Sequence, residues 1–161
     1  MDESLHRLAL AEIPEDTRDL LPMQAGQRIA RGVARLLCSH GFAPVTEMPL
    51  AGKLRADVMA IGPKGEVWIV ECKSCRADFR ADRKWQGYTA WCDRFFWAVG
   101  PDFPQEILPE NDGLILADAF GGEIIRLADE TPLAPARRKV VSRDFARYAA
   151  LRLLALRDPA P

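Results

Sequence analysis

Two chemistries overlap in the stretch Val70-Glu71-Cys72-Lys73-Ser74-Cys75. Its cysteines form Cys-x-x-Cys, the spacing of a redox dithiol or of half a zinc site. Its charges form Glu71-x-Lys73. With a second carboxylate nearby, that triplet supplies the donors a divalent cation needs for phosphodiester chemistry. Another acid-x-lysine triplet, Asp82-x-Lys84, lies downstream. Choosing between these readings requires knowing which side chains share a face.

The positioning elements follow from periodicity and turn residues. Residues 24–40 carry apolar Ile29, Val33, Leu36 and Leu37 at helical spacing and stop at Gly41, a left-handed helix end. Strands are expected at Phe42–Glu47, Leu54–Ile61 and Val67–Lys73. The last two are joined by the hairpin-length loop Gly62-Pro63-Lys64-Gly65-Glu66. A helix over roughly 78–93 would align Ala81, Trp85, Tyr88 and Cys92, and would split Asp82 from Lys84. Phe95–Val99 reads as a buried strand, parallel to the third because a helix intervenes. Weaker strands are expected at Leu114–Ala117 and Glu123–Leu127, followed by a helix capped by Ser142 and ending near Leu156. The first 20 or so residues read as a peripheral extension, a short helix turning at Pro14. These elements make one α/β domain spanning residues 1–161, with a mixed central sheet and helices on both sides.

Side chains alternate along a strand, so Val67, Ile69, Glu71 and Lys73 share a face. With a loop of residues 62–66, Ile61 pairs with Val67 and Met59 with Ile69. Asp57 then faces Glu71, and Arg55 faces Lys73. Carboxylates directly opposed at about 5 Å destabilise a sheet unless a cation lies between them. Hard oxygen donors suit Mg²⁺ or Mn²⁺, which retain several waters. Lys73 would orient such a water or stabilise charge on a phosphoryl group, and Glu47 would add a further acid. A structural ion cluster fits the same residues, because a one-residue register shift would dissolve the pairing.

The set Arg55-Ala56-Asp57, Val70-Glu71-Cys72-Lys73-Ser74, Asp78-Phe79-x₂-Asp82-x-Lys84-Trp85-Gln86-x-Tyr88 and Cys92-Asp93 resembles the MmcB-like DNA repair protein family. That family is part of the PD-(D/E)XK nuclease superfamily, and the likeness runs from about residue 24 onwards. The resemblance implies a restriction-endonuclease-like fold and a role in DNA repair. It implies Asp57 and Glu71 as metal ligands, Lys73 as the catalytic lysine and Glu47 as the additional upstream acid. Gln86 matches the glutamine some of these nucleases aim at the site, although Ala90 stands where a tyrosine would follow it. Ala56 stands where the superfamily's name has proline. Some proteins on this fold do not cleave, so a DNA-binding repair accessory stands beside the nuclease reading.

Cys72 alternates onto the face of Trp68 and Val70, opposite Glu71, which makes it a small packing residue. Cys38 and Cys92 are isolated, and His6 and His40 lack ligand spacing, so no structural zinc site is indicated. Trp85 and Tyr88 read as a face packed on the sheet, although Trp85 on a surface could stack on a base. Candidate DNA-phosphate donors are Arg28, Arg31 and Arg35 on the first helix, Arg55, and Arg76, Arg80 and Lys84 after the Glu-x-Lys strand. Arg83, Arg137-Arg138-Lys139, Arg143 and Arg147 are further basic positions.

At 161 residues with a net charge of −1, the chain can bury a core without disulfides, and its overall charge argues against non-specific coating of nucleic acid. The acidic start MDES and the absence of a long apolar run exclude a signal peptide and a membrane span. A cytoplasmic location follows, consistent with four irregularly spaced cysteines. The oligomeric state is not indicated.

Overall fold

The computed structural model describes residues 24–158. The expected N-terminal helix and the turn at Pro14 lie outside these residues. Helix α1, Ala25–Ser39, begins where the Gln27 side chain accepts the Gln24 N–H at 3.1 Å, and ends before Gly41 at φ 81°. It buries Ile29, Val33, Leu36 and Leu37, the apolar stripe expected from the spacing. Gly32 lets α1 approach the sheet's far end, because a Cβ there would collide with the carbonyl oxygens of Asp118 and Gly121.

The chain then builds a mixed six-stranded sheet whose spatial order equals its sequence order. The strands are β1 Ala43–Leu50, β2 Leu54–Ile61, β3 Val67–Lys73, β4 Arg94–Val99, β5 Gly113–Ala117 and β6 Gly122–Arg126. Strands β1–β2–β3 form an antiparallel meander, β3–β4 and β4–β5 are parallel, and β5–β6 is an antiparallel pair. The parallel step from β3 to β4 was expected from the intervening segment. All of β3 is buried, as befits a strand covered on both faces.

One face presents Val58, Trp68, Val70, Cys72, Phe96 and Ala98 to α1. The other carries Met59, Ile69, Phe95, Trp97 and Val99. Helix α3, Pro135–Arg157, closes that second face with Val141 and Phe145. Helix α3 starts earlier than expected. Pro135, preset for a first helical turn, opens it, so Ser142 lies inside the helix rather than capping it. Its first turn is tied down by Arg138, whose guanidinium donates to both carboxylate oxygens of buried Asp93 at 2.7 and 2.8 Å. Asp93 also accepts the N–H groups of Val67 and Leu133, each at 2.7 Å. This one carboxylate therefore joins β3, β4's start and α3.

The segment between β3 and β4 departs from the expected single helix. It consists of a short α2, Arg76–Ala81, then a turn, then a 3₁₀ helix at Trp85–Trp91. Asp82 breaks the helix: its Oδ1 accepts the Lys84 N–H at 2.8 Å, a local bond that competes with helical pairing. The apolar spacing that suggested one helix instead serves a folded-over cover. Trp85 and Tyr88 pack on Phe95, with centroids 6.0 Å apart in both pairs, and Phe79 meets Trp97 edge-on at 5.1 Å.

Candidate functional site

The β2–β3 hairpin has the expected register, with Ile61 opposite Val67 and Met59 opposite Ile69. Its regular ladder stops at Val58–Val70, one step before the acidic pair. Beyond that point the carboxylates replace the backbone as partners. Glu71 Oε1 accepts the Asp57 N–H at 3.2 Å, and Asp57 Oδ2 accepts the Cys72 N–H at 2.8 Å. Asp57 and Glu71 are thereby held side by side at the mouth of the hairpin.

Glu71 is only 4% exposed and Lys73 6%, both on the face opposite α1. Burial, reinforced by the neighbouring Asp57 charge, pushes the Glu71 carboxyl up to about 8. Burial likewise raises Asp57, outweighing the Cys72 N–H and the Lys73 charge that favour its ionised form. Burial thus disfavours the ionised form of both carboxyls even with Lys73 close by.

Lys73 does not face Arg55 as the strand pairing suggested. Its Nζ lies 2.7 Å from Asp82 Oδ2 and 4.0 Å from Glu71 Oε2. Burial opposes the ammonium, but the Asp82 hydrogen bond and the surrounding acids outweigh it and hold Lys73 above its ordinary value. Asp82, also disfavoured as an anion by burial, is held below the usual carboxylate range by Lys73 and by the Lys84 N–H. Sequence reasoning set Asp82 aside because a continuous helix would separate it from Lys84. The available signal was the preference of aspartate for helix starts and turns, just before the 3₁₀ segment.

Tyr88 completes the cover. Its hydroxyl donates to the Arg55 carbonyl at 2.9 Å, and burial, followed by the Glu71 and Asp57 charges, raises its pKa well above the ordinary tyrosine value, so it keeps its proton. Glu47 is mid-strand in β1 with φ 57°, a left-handed kink next to the acidic mouth. Its carboxylate turns to Arg55 at 2.7 Å, and the electrostatic effect of Glu47 on Asp57 remains repulsive. Gln86 is exposed on the 3₁₀ helix, and no hydrogen bond joins its side chain to the acidic pair.

Among the described residues, no group of three or more His, Cys, Asp or Glu side chains is arranged to hold a metal. A closely spaced pair of carboxyls, one of which burial holds protonated until a cation replaces the proton, nevertheless fits Mg²⁺ or Mn²⁺, which take one or two protein carboxylates and fill their shell with water. The dithiol alternative does not fit. Cys72 lies in the α1-side core, and burial, then the acidic pair, raises its thiol well above normal; Cys75 is exposed and free.

The basic candidates fall in separate places. Arg28 and Arg76 line one groove of about 590 Å³ at the carboxyl ends of β3, β4 and β5, with Ser74, Cys75, Asp102 and Asp118. Arg80 and Lys84 are exposed on the cover segment. Arg31 is half-buried, Arg35 donates to the Phe120 carbonyl at 3.3 Å, and Arg55 is taken up by Glu47. Arg138, one of the basic run, is structural through Asp93. Among the described residues no helix is long and apolar enough to cross a membrane.

Comparison with known proteins gives the family. The solved structure of the SPO1766 protein of unknown function from Silicibacter pomeroyi is 62% identical and superposes with a TM-score of 0.84. The match covers 86% of this chain and 95% of that one. No curated protein sequence matches. The family model described as DNA repair protein MmcB-like matches residues 7–160, including every residue of the acidic mouth and its cover, and the chain belongs to that family.

Proposed function

We propose that this protein is a divalent-metal-dependent deoxyribonuclease acting in DNA repair, with Asp57, Glu71 and Lys73 at its centre. The observation that carries the reading is the interlocked pair of half-buried Asp57 and buried Glu71, flanked by Lys73. Mg²⁺ or Mn²⁺ held by Asp57 and Glu71 would supply an activated water and neutralise charge on the phosphodiester. The protein's own contributions are the fixed carboxylates, an ammonium on Lys73, and a low-dielectric floor of Trp97, whose ring centroid is 5.7 Å from Nζ. Arg28 and Arg76 in the groove, and Arg80 and Lys84 on the cover, are exposed donors that could grip DNA phosphates. Family membership supports the DNA substrate and the repair role.

The DNA-binding accessory is favoured by a different observation. Glu71 and Lys73 are each less than a tenth exposed, and Asp82 occupies the ammonium, so DNA reaches them only if the cover segment moves. Cleavage of single-stranded, duplex and branched DNA in Mn²⁺, by wild type, Asp57→Ala and Lys73→Ala, decides between them. The nuclease reading expects wild-type cleavage and near-complete loss in both variants. Mn²⁺ binding without cleavage of any substrate leaves the accessory role, and equal activity in all three proteins places cleavage elsewhere.

A further inference from the structure

The residue that contacts Lys73 most closely belongs to neither strand of the acidic mouth. Asp82 comes from the cover, and each of its oxygens has a separate task. Oδ2 accepts from the Lys73 ammonium at 2.7 Å, while Oδ1 accepts the Lys84 N–H at 2.8 Å. The turn is braced immediately afterwards by Trp85, whose ring meets Trp97 at 5.5 Å on the strand beside β3. The Asp82 carboxylate is therefore fixed by backbone and core packing, independently of the lysine it holds.

Lysine carries a compact charge on a flexible stem, and catalysis requires that charge in one place. Without Asp82, the near acceptor for the ammonium would be Glu71 at 4.0 Å, beyond hydrogen-bond range. We propose that Asp82 is a positioning residue that fixes the Lys73 ammonium beside Asp57 and Glu71. The proposal rests on the nuclease reading for its catalytic meaning. It assigns the second acid-x-lysine triplet a split role: Asp82 serves the site through its side chain, and Lys84 through its backbone N–H.

A purely structural ion pair would stabilise the cover without affecting turnover, so the test reads both. Wild type, Asp82→Asn and Asp82→Glu are compared for DNA cleavage in Mn²⁺ and for acetic anhydride labelling of Lys73, quantified by peptide mass spectrometry. Asp82→Asn is isosteric and keeps an acceptor for the Lys84 N–H. It is expected to lower kcat roughly 10- to 100-fold, with KM changed less than about twofold. Labelling of Lys73 should rise by about tenfold as the charged hydrogen bond is lost. Asp82→Glu should recover part of kcat and most of the protection from labelling. Wild-type kcat in Asp82→Asn, unchanged Lys73 labelling, or equal behaviour of the Asn and Glu variants overturns the proposal. If wild type cleaves no DNA, the nuclease reading falls, and the labelling comparison alone decides whether Asp82 holds Lys73.

Discussion

Glu71→Gln should make the metal-free protein more stable, and by an amount that depends on pH. The Glu71 carboxyl is pushed from an ordinary value near 4.5 up to about 8, first by burial and then by Asp57. An acid whose folded-state value is raised costs nothing while both states are protonated. Above about pH 4.5 the unfolded chain ionises and the folded one does not, so stability falls by about 1.4 kcal/mol per pH unit. The cost reaches about 3 kcal/mol at pH 7 and levels off above pH 8 near 5 kcal/mol. Asp57 shares in this titration, so the observed midpoint belongs to the pair. Glutamine keeps an oxygen for the Asp57 N–H and removes the titration. Urea unfolding in EDTA at pH 5, 7 and 9 should show a gain under about 1 kcal/mol, then about 3, then somewhat more. Saturating Mg²⁺ should stabilise wild type and largely spare the variant, narrowing the difference. A gain that is flat with pH, or a loss of stability at pH 7, would refute the claim that burial and Asp57 keep Glu71 protonated.

Asp93→Ala should destabilise the fold by about 3–5 kcal/mol in denaturant melts, because it strands Arg138 and the N–H groups of Val67 and Leu133. Burial disfavours ionised Asp93, but Arg138 and those N–H groups outweigh it and hold the carboxyl below its ordinary 3.8. Its stabilisation is thus present above that value and fades as pH falls through the folded value, which acid titration of the wild type against Asp93→Asn should show. Gly32→Ala should lower stability by more than the roughly 1 kcal/mol that helix propensity alone would add, since the methyl meets backbone carbonyls that cannot yield, and thermal melts check the sign. Cys75→Ser should leave cleavage unchanged, whereas a thiol mechanism would lose it.

Much of the site was legible because strand geometry is local. A period of two and a five-residue loop placed Asp57 against Glu71; the structure has that register as far as Val58–Val70, and one step on joins the two residues through the Asp57 N–H and the Glu71 carboxylate. The same parity sent Cys72 to the α1 face, which settled the competition between the cysteine and charge patterns. Family membership was also legible, since its motif residues lie on contiguous stretches of chain. The cover was misread because apolar spacing does not distinguish a helix from a broken segment pinned by an aspartate side chain. Likewise, the start of α3 depends on Pro135 and on Asp93, which meets Arg138 across 45 residues of sequence.

The sequence by itself determined the approximate strand positions, the order of chemistry along β3, and the two carboxylates at the hairpin's mouth, because alternation and hairpin closure act over a few residues. Only the tertiary structure decided where the charges of Lys73, Glu47 and Arg55 go. Those side chains are long, and their partners are chosen by distance in space: Asp82 for Lys73, and Glu47 for Arg55. The burial that raises Glu71 is likewise a property of the assembled core, which no stretch of sequence contains alone.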